Sequence, residues 1–224
     1  VTQPSAPQAG GGLSLWIVLG LLVVVAIAGG VAALTFGGSS KRPSAGNIHG
    51  VASSRYDGSV ASPPQPAPPL ALRNYRGERV NIERYRGRAL LVTFLYTKCP
   101  DVCPLIASNL GVALNLMGPA RASRVQLIAV SVDPHGDTPG AVEAFLEHHR
   151  VAGRMQYLIG SAHELAAVWK AWNVGSEKDA QSPELVNHTG LVYGVSASGK
   201  ITTLYPSNFT PAEIAHDAPL LAAS

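Results

Sequence analysis

Charge is missing from the first 40 residues, which contain no Asp, Glu, Lys, Arg or His. Cysteine is nearly missing from the whole chain, with two in 224 residues. So few cysteines exclude a disulfide-stapled scaffold, and any folded domain must be held by its own apolar core. Charged residues of both signs make up only 14%, the formal charge is +3, and Lys and Arg are scattered rather than striped along one face. That pattern lacks the electrostatic footprint of a nucleic-acid-binding protein.

The uncharged region holds one long apolar run, LWIVLGLLVVVAIAGGVAALTF, over residues 15–36. Its length matches the roughly 20 residues that span a bilayer core, and Trp16 stands at one end, where interfacial aromatics are favoured. A buried core helix would keep some polar face, and this run has none. A cleaved signal peptide would have an apolar region of about 7–15 residues after positive charge. The expectation is therefore a tail over residues 1–14 and a single-pass membrane anchor over residues 15–36. Lys41 and Arg42 come directly after the run, and the positive-inside rule alone would place the remainder of the chain in the cytoplasm.

Residues 37–69 are rich in Gly, Ser and Pro and end in PPQPAPP. Such a composition buries too little apolar surface to offset ordering, and its prolines favour extended segments. It reads as a spacer, and His49 within it as solvated. One globular domain is expected over residues 70–224. Two short strands around Arg76-Gly77-Glu78 suggest a hairpin. Continuous apolar runs at residues 89–97 and 125–132 suggest strands covered on both faces, with a third strand at residues 155–159. Leu105, Ile106, Leu110, Ala113, Leu114 and Met117 recur at helical spacing and stop at Gly118-Pro119. Thr138-Pro139, Ser161 with Glu164, and Thr210-Pro211 read as helix starts. Residues 175–184 read as a polar loop leading to His188, followed by strands at residues 190–196 and 200–205. The order ββ, βα, βα, βα, ββ, α fits an α/β, thioredoxin-like domain.

Both cysteines, Cys99 and Cys103, fall in LLVTFLYTKCPDVCPL, where a strand-like run enters a Pro-punctuated turn. If that turn is helical they share roughly one face, with Cβ atoms about 5–6 Å apart, close enough to ligate one ion. A disulfide needs Cβ atoms about 3.5–4.5 Å apart, which a small adjustment supplies. Two unrelated buried thiols is the weaker reading, because Pro100, Asp101 and Pro104 make the turn too polar and rigid for ordinary core. Spacing alone leaves metal and redox chemistry both open. Two thiolates and an imidazole would select Cu(I), and accommodate Cu(II) with added oxygen ligands. His148, His149 and His163 sit in helical patterns among charged neighbours and read as solvated. His216 is a further candidate. His135, at the end of the second buried strand, and His188, after a polar loop, are the stronger third partners, with His188 favoured.

Tyr96-Thr-Lys-Cys99-Pro-Asp-Val-Cys103-Pro104 resembles the copper-site motif of the SCO/SenC proteins, membrane-tethered copper chaperones of cytochrome c oxidase assembly. Val130-Ser-Val-Asp133-Pro134, Asp137-Thr138-Pro139 and Asn187-His188-Thr189 continue the likeness in order, over residues 70–221. The resemblance implies a thioredoxin-like fold and Cys99, Cys103 and His188 as copper ligands. It also implies an exported domain on the periplasmic side, against the Lys41-Arg42 signal, with an upstream copper donor and delivery of copper to the dinuclear centre of oxidase subunit II. Asp101 and Asp133 match acidic motif positions in supporting rather than ligating roles. Gly136 stands where the family usually has Arg, and Asn187 where Asp often precedes the His. A thiol–disulfide reductase cycling Cys99 and Cys103 is the second reading, and a peroxiredoxin-like peroxidase a third.

Overall fold

A computed structural model describes residues 54–178, 186–188 and 190–224, with the backbone alone at residues 176–178 and 187–188. The expected tail, the expected anchor at residues 15–36, and His49 lie outside the described residues.

An eight-stranded sheet in the order β1-β10-β9-β4-β5-β6-β2-β3 forms the frame. Its centre is β4 (Ala89–Leu95), every residue of which is buried. β4 runs parallel to β5 (Val125–Ser131) in a register from Ala89 with Val125 to Leu95 with Ser131, and β5 runs parallel to β6 (Met155–Ile159). The continuous apolar runs seen in the sequence are these inner strands, covered on both faces. On one side, β9 (Leu191–Val195) and β10 (Lys200–Pro206) pair antiparallel and join β4. On the other, the hairpin of β2 (Ala71–Asn74) and β3 (Arg79–Asn81) joins β6.

The parallel strands are linked by α1 (Val102–Ala122) and α2 (Pro139–His148), and α3 (Ala162–Ala171) follows β6. α1 has the length and apolarity of a membrane span, but it buries Cys103, Ile106, Leu110 and Leu114, and packs on β5 and α4 (Pro211–Leu221) as a core helix. The stop expected at Gly118-Pro119 is a break: Gly118 takes φ 72° and ψ 165°, and helix resumes through Pro119, whose missing N–H is harmless in a first turn. Thr138 caps α2, and Ser161 with Glu164 and Thr210 with Glu213 form full capping boxes on α3 and α4, as their spacing implies.

Two expectations need correction. Ser59–Pro66, assigned to the spacer, forms edge strand β1 against β10, from Ser59 opposite Leu204 to Pro66 opposite Lys200. Its prolines cannot donate to a ladder, but an edge strand tolerates that, and its exposure gives it a linker's composition. The folded domain therefore begins before residue 70. Residues 175–184 open with β7 (Ser176–Lys178) instead of loop, and His188, expected on a loop, lies in β8 (Val186–His188), which pairs with β7 in a separate two-stranded sheet.

Candidate metal centre

The cysteines stand where β4 ends. In a parallel sheet the strand ends open a crevice, and the turns that leave β4 and β5 meet there. After Tyr96 the chain turns sharply, the Cys99 N–H donating to the Tyr96 carbonyl at 3.3 Å. Cys99 therefore precedes α1, and Cys103 is the second residue of its first turn. The expectation that both share a helical face is thus replaced by a turn that folds one sulfur over the helix start.

The consequence is chemical. The first N–H groups of a helix have no partner within it. Here the Cys103 N–H donates to Cys99 Sγ at 3.4 Å, an arrangement suited to an anionic sulfur. Both residues are thiols and buried, Cys99 at 8% exposure and Cys103 at 0%. The Cys103 thiol is pushed far above its ordinary range, first by its hydrogen bond with Cys99 and then by burial. One sulfur thus lies on the turn, slightly accessible, and its partner is fully enclosed.

Two residues that the sequence offered only as members of the motifs, without a role, complete the surroundings. Asp137, 4% exposed, accepts the Thr97 N–H at 2.8 Å, the Ser131 hydroxyl at 2.6 Å and the Tyr157 hydroxyl at 2.9 Å. Burial raises its pKa, and these donors hold part of that rise back. In the sequence it is only the residue before a helix cap, and no periodicity marks it as buried. Tyr96 follows an apolar strand and reads as core, yet its hydroxyl accepts the Val186 N–H at 3.3 Å, and, after burial, the nearby Cys99 sulfur is among the groups that raise its pKa. Asp133 is structural, its carboxylate accepting the N–H groups of His135 and Gly136. Asp101 is the exposed N-cap of α1 and makes no side-chain cap bond.

The structure brings the backbone of His188 into β8, opposite Ser176, while its side chain lies outside what is described. His135 is exposed on the loop after β5, and His148, His163 and His216 are exposed on helices. His149 is tied to Ser108 by its Nδ1 at 3.0 Å. Among the described residues, Asp57, His216 and Asp217 also bring ligand-type atoms within 4.8 Å of one another. Both Asp217 oxygens are already occupied there by donors from Asp57, Gly58, Tyr205 and His216, so that group is a clamp. The basic residues are less scattered than the sequence suggests: Arg73, Arg79 and Arg84 line a 430 Å³ cavity with Glu164, away from the cysteines.

Known proteins share this fold. In the solution structure of apo Sco1 from Thermus thermophilus, 75% of this chain overlays 97% of that one at a TM-score of 0.64 and 28% identity. For Bradyrhizobium japonicum ScoI with copper bound, the figures are 68% and 97%, at a TM-score of 0.60 and 30% identity. Protein sco1 of Schizosaccharomyces pombe is 26% identical over 162 residues, which is 68% of this chain and 59% of that protein. The chain spans about 50–59% of the length of the first curated relatives it matches. The SCO1/SenC family description matches residues 61–222, nearly the whole described domain with the cysteine turn, the buried aspartate and the His188 strand inside it, and the chain belongs to that family.

Proposed function

We propose that this protein is a copper chaperone of cytochrome c oxidase assembly, holding one copper ion with Cys99, Cys103 and His188. The observation that carries the reading is the pair of sulfurs at the start of α1, with one N–H already aimed at Cys99 Sγ. Two thiolates suit Cu(I), and a nitrogen ligand from β8 would let the same site hold Cu(II). Support comes from the B. japonicum relative, solved with copper bound. Copper is cargo here, and the chain's task is to bind, shield and release it.

In this reading residues 15–36 anchor the chain in the membrane and residues 37–53 tether the domain to it. The domain works on the periplasmic side, takes copper from an upstream donor and passes it to subunit II by ligand exchange. A thiol–disulfide reductase is the less favoured reading, since the B. japonicum relative of the same fold was solved holding copper.

Copper titration of the reduced full chain under anaerobic conditions tests the proposal. One equivalent is expected to bind with sulfur-to-copper charge-transfer bands. Cys99→Ser and Cys103→Ser should each abolish those bands, and His188→Ala should weaken Cu(II) more than Cu(I). Unchanged binding in either cysteine variant would remove the site.

A further inference from the structure

The strand that carries His188 is not part of the main sheet; it belongs to the small β7–β8 pair. A ligand on such a strand needs something to set its distance from the cysteine turn. Tyr96 bridges the two. It follows the last residue of β4, lies three residues before Cys99, and is 3% exposed. Its hydroxyl accepts the N–H of Val186 at 3.3 Å, across 90 residues of sequence, and Val186 is itself 8% exposed.

A phenol has one proton to give. A backbone N–H can only donate, so the Tyr96 oxygen must act as acceptor toward Val186, and its own proton points elsewhere. Tyr96 thus links the turn three residues before Cys99 to the backbone two residues before His188. At the rise of an extended strand, two residues place His188 Cα about 6.6 Å from that of Val186. A shift of Val186 relative to Tyr96 would carry His188 with it.

Resting on the copper-holding reading, we infer that Tyr96 is a positioning residue, whose hydroxyl locks the His188 strand to the cysteine turn and so sets the third ligand of the site. Phe at this position would fill the same space and leave the sulfurs alone, but it would lose the acceptor for Val186 N–H. Cu(I), satisfied by two thiolates, should be nearly indifferent to that loss, and Cu(II), which needs the nitrogen, should not.

The test compares the reduced, anaerobic full chain with Tyr96→Phe and with Tyr193→Phe. The second variant deletes another buried tyrosine hydroxyl, the one that donates to the Trp172 carbonyl at 3.1 Å, and serves as the control for a merely structural loss. Cu(II) and Cu(I) are titrated separately, and nitrogen coupling is read from the Cu(II) electron paramagnetic resonance spectrum. Tyr96→Phe is expected to lower Cu(II) affinity at least about tenfold, the usual effect of losing a group that orients a ligand, and to weaken nitrogen coupling at unchanged Cu(I) affinity. Tyr193→Phe should keep both. Wild-type nitrogen coupling and Cu(II) affinity in Tyr96→Phe, or an equal loss in Tyr193→Phe, would overturn this inference alone. A wild-type chain that takes up no copper would overturn it together with the copper reading.

Discussion

Asp137 Oδ1 accepts the backbone N–H of Thr97 at 2.8 Å, so the loop leaving β5 holds the turn leaving β4, two residues before Cys99. Its other oxygen takes the hydroxyls of Ser131 and Tyr157, which ties β5 and β6 into the same brace. A carboxylate is the side chain that can accept all three at once. Its place beneath the turn, at 4% exposure, makes it an acid the fold must accommodate.

That accommodation predicts a pH dependence. Burial is the largest cause of the raised Asp137 pKa. Between the unfolded value of about 3.9 and the raised folded value, the folded state binds the proton more tightly than the unfolded state. The stability this group supplies is therefore full below about pH 3.9 and is lost as pH rises through the folded value. Asp137→Asn does not titrate, so urea unfolding from acid to neutral pH should show it gaining on wild type as pH rises. A wild type that gains on the variant would contradict the assignment. Asp137→Ala should be far worse, stranding three buried donors at about 1–3 kcal/mol each.

The two sulfurs should differ in reactivity. Cys103 is fully buried and its thiol is pushed up first by its bond with Cys99, whereas Cys99 lies on the turn and receives a helix N–H. In the reduced chain near pH 7, iodoacetamide is expected to label Cys99 at least about tenfold faster than Cys103, because the thiolate is the reacting form. Cys99→Ser removes the first cause of the Cys103 shift and should lower that pKa, while burial keeps the residue slow. Time-resolved peptide mapping reads both outcomes. Equal labelling would mean that the turn opens faster than it reacts.

At Gly136 the resemblance leads one to expect Arg, and the structure gives the glycine a local meaning. A Cβ there would lie 2.1 Å from Asp133 Oδ2 and 2.9 Å from its Cγ. The same carboxylate accepts the N–H groups of His135 and Gly136 at 3.2 and 3.0 Å. In this chain the missing side chain lets Asp133 fold back over its own turn. Gly136→Ala or Gly136→Arg should push the carboxylate out and cost about 1 kcal/mol, the net worth of a hydrogen bond or two, with the Thr97 to Asp137 bond intact. Thermal unfolding gives the cost, and a variant at least as stable as wild type would show that Asp133 needs no such space.

The fold was largely legible because its inner strands are buried on both faces and its helices carry complete caps. Residues 89–95 contain no polar side chain except Thr93, which bonds the Leu191 carbonyl, so their continuity marks a central strand without ambiguity. Ser161 with Glu164 declares α3, and Thr210 with Pro211 declares α4. β1 was hidden for the opposite reason: an edge strand of serine and proline has the composition of a tether, and only its pairing with β10 distinguishes it. At the candidate site, Cys99 and Cys103 announce themselves by scarcity. Asp137 and Tyr96 do not, because their roles come from partners 40 and 90 residues away, Thr97 and Val186, and no local pattern encodes those distances.

The same blindness to distant partners hid the clamp that secures β1, and that clamp supports a last prediction. Asp217, fully buried on α4, accepts the N–H groups of Asp57 and Gly58 at 2.9 Å each and the Tyr205 hydroxyl at 2.8 Å, and bonds His216 Nδ1 at 2.7 Å. These bonds fix the chain immediately before β1 begins at Ser59. Asp217→Ala would strand two backbone donors, so β1 amides such as Val60 should open more easily by about 2–3 kcal/mol, read by hydrogen exchange. His216 adds a pH term. Its pKa is raised first by the bond with Asp217 and then by the charge of Asp57, 3.4 Å away. A raised folded value means that its contribution is full below about pH 6.5, the unfolded value, and fades as pH rises through the folded one. The imidazole is exposed, so the effect should be small and weakened by salt. Exchange at Val60, corrected for the intrinsic dependence on pH, should show protection falling from pH 6 to 8 in wild type and staying level in His216→Gln. Protection that rises with pH, or falls equally in both chains, would assign the clamp to Asp217 alone.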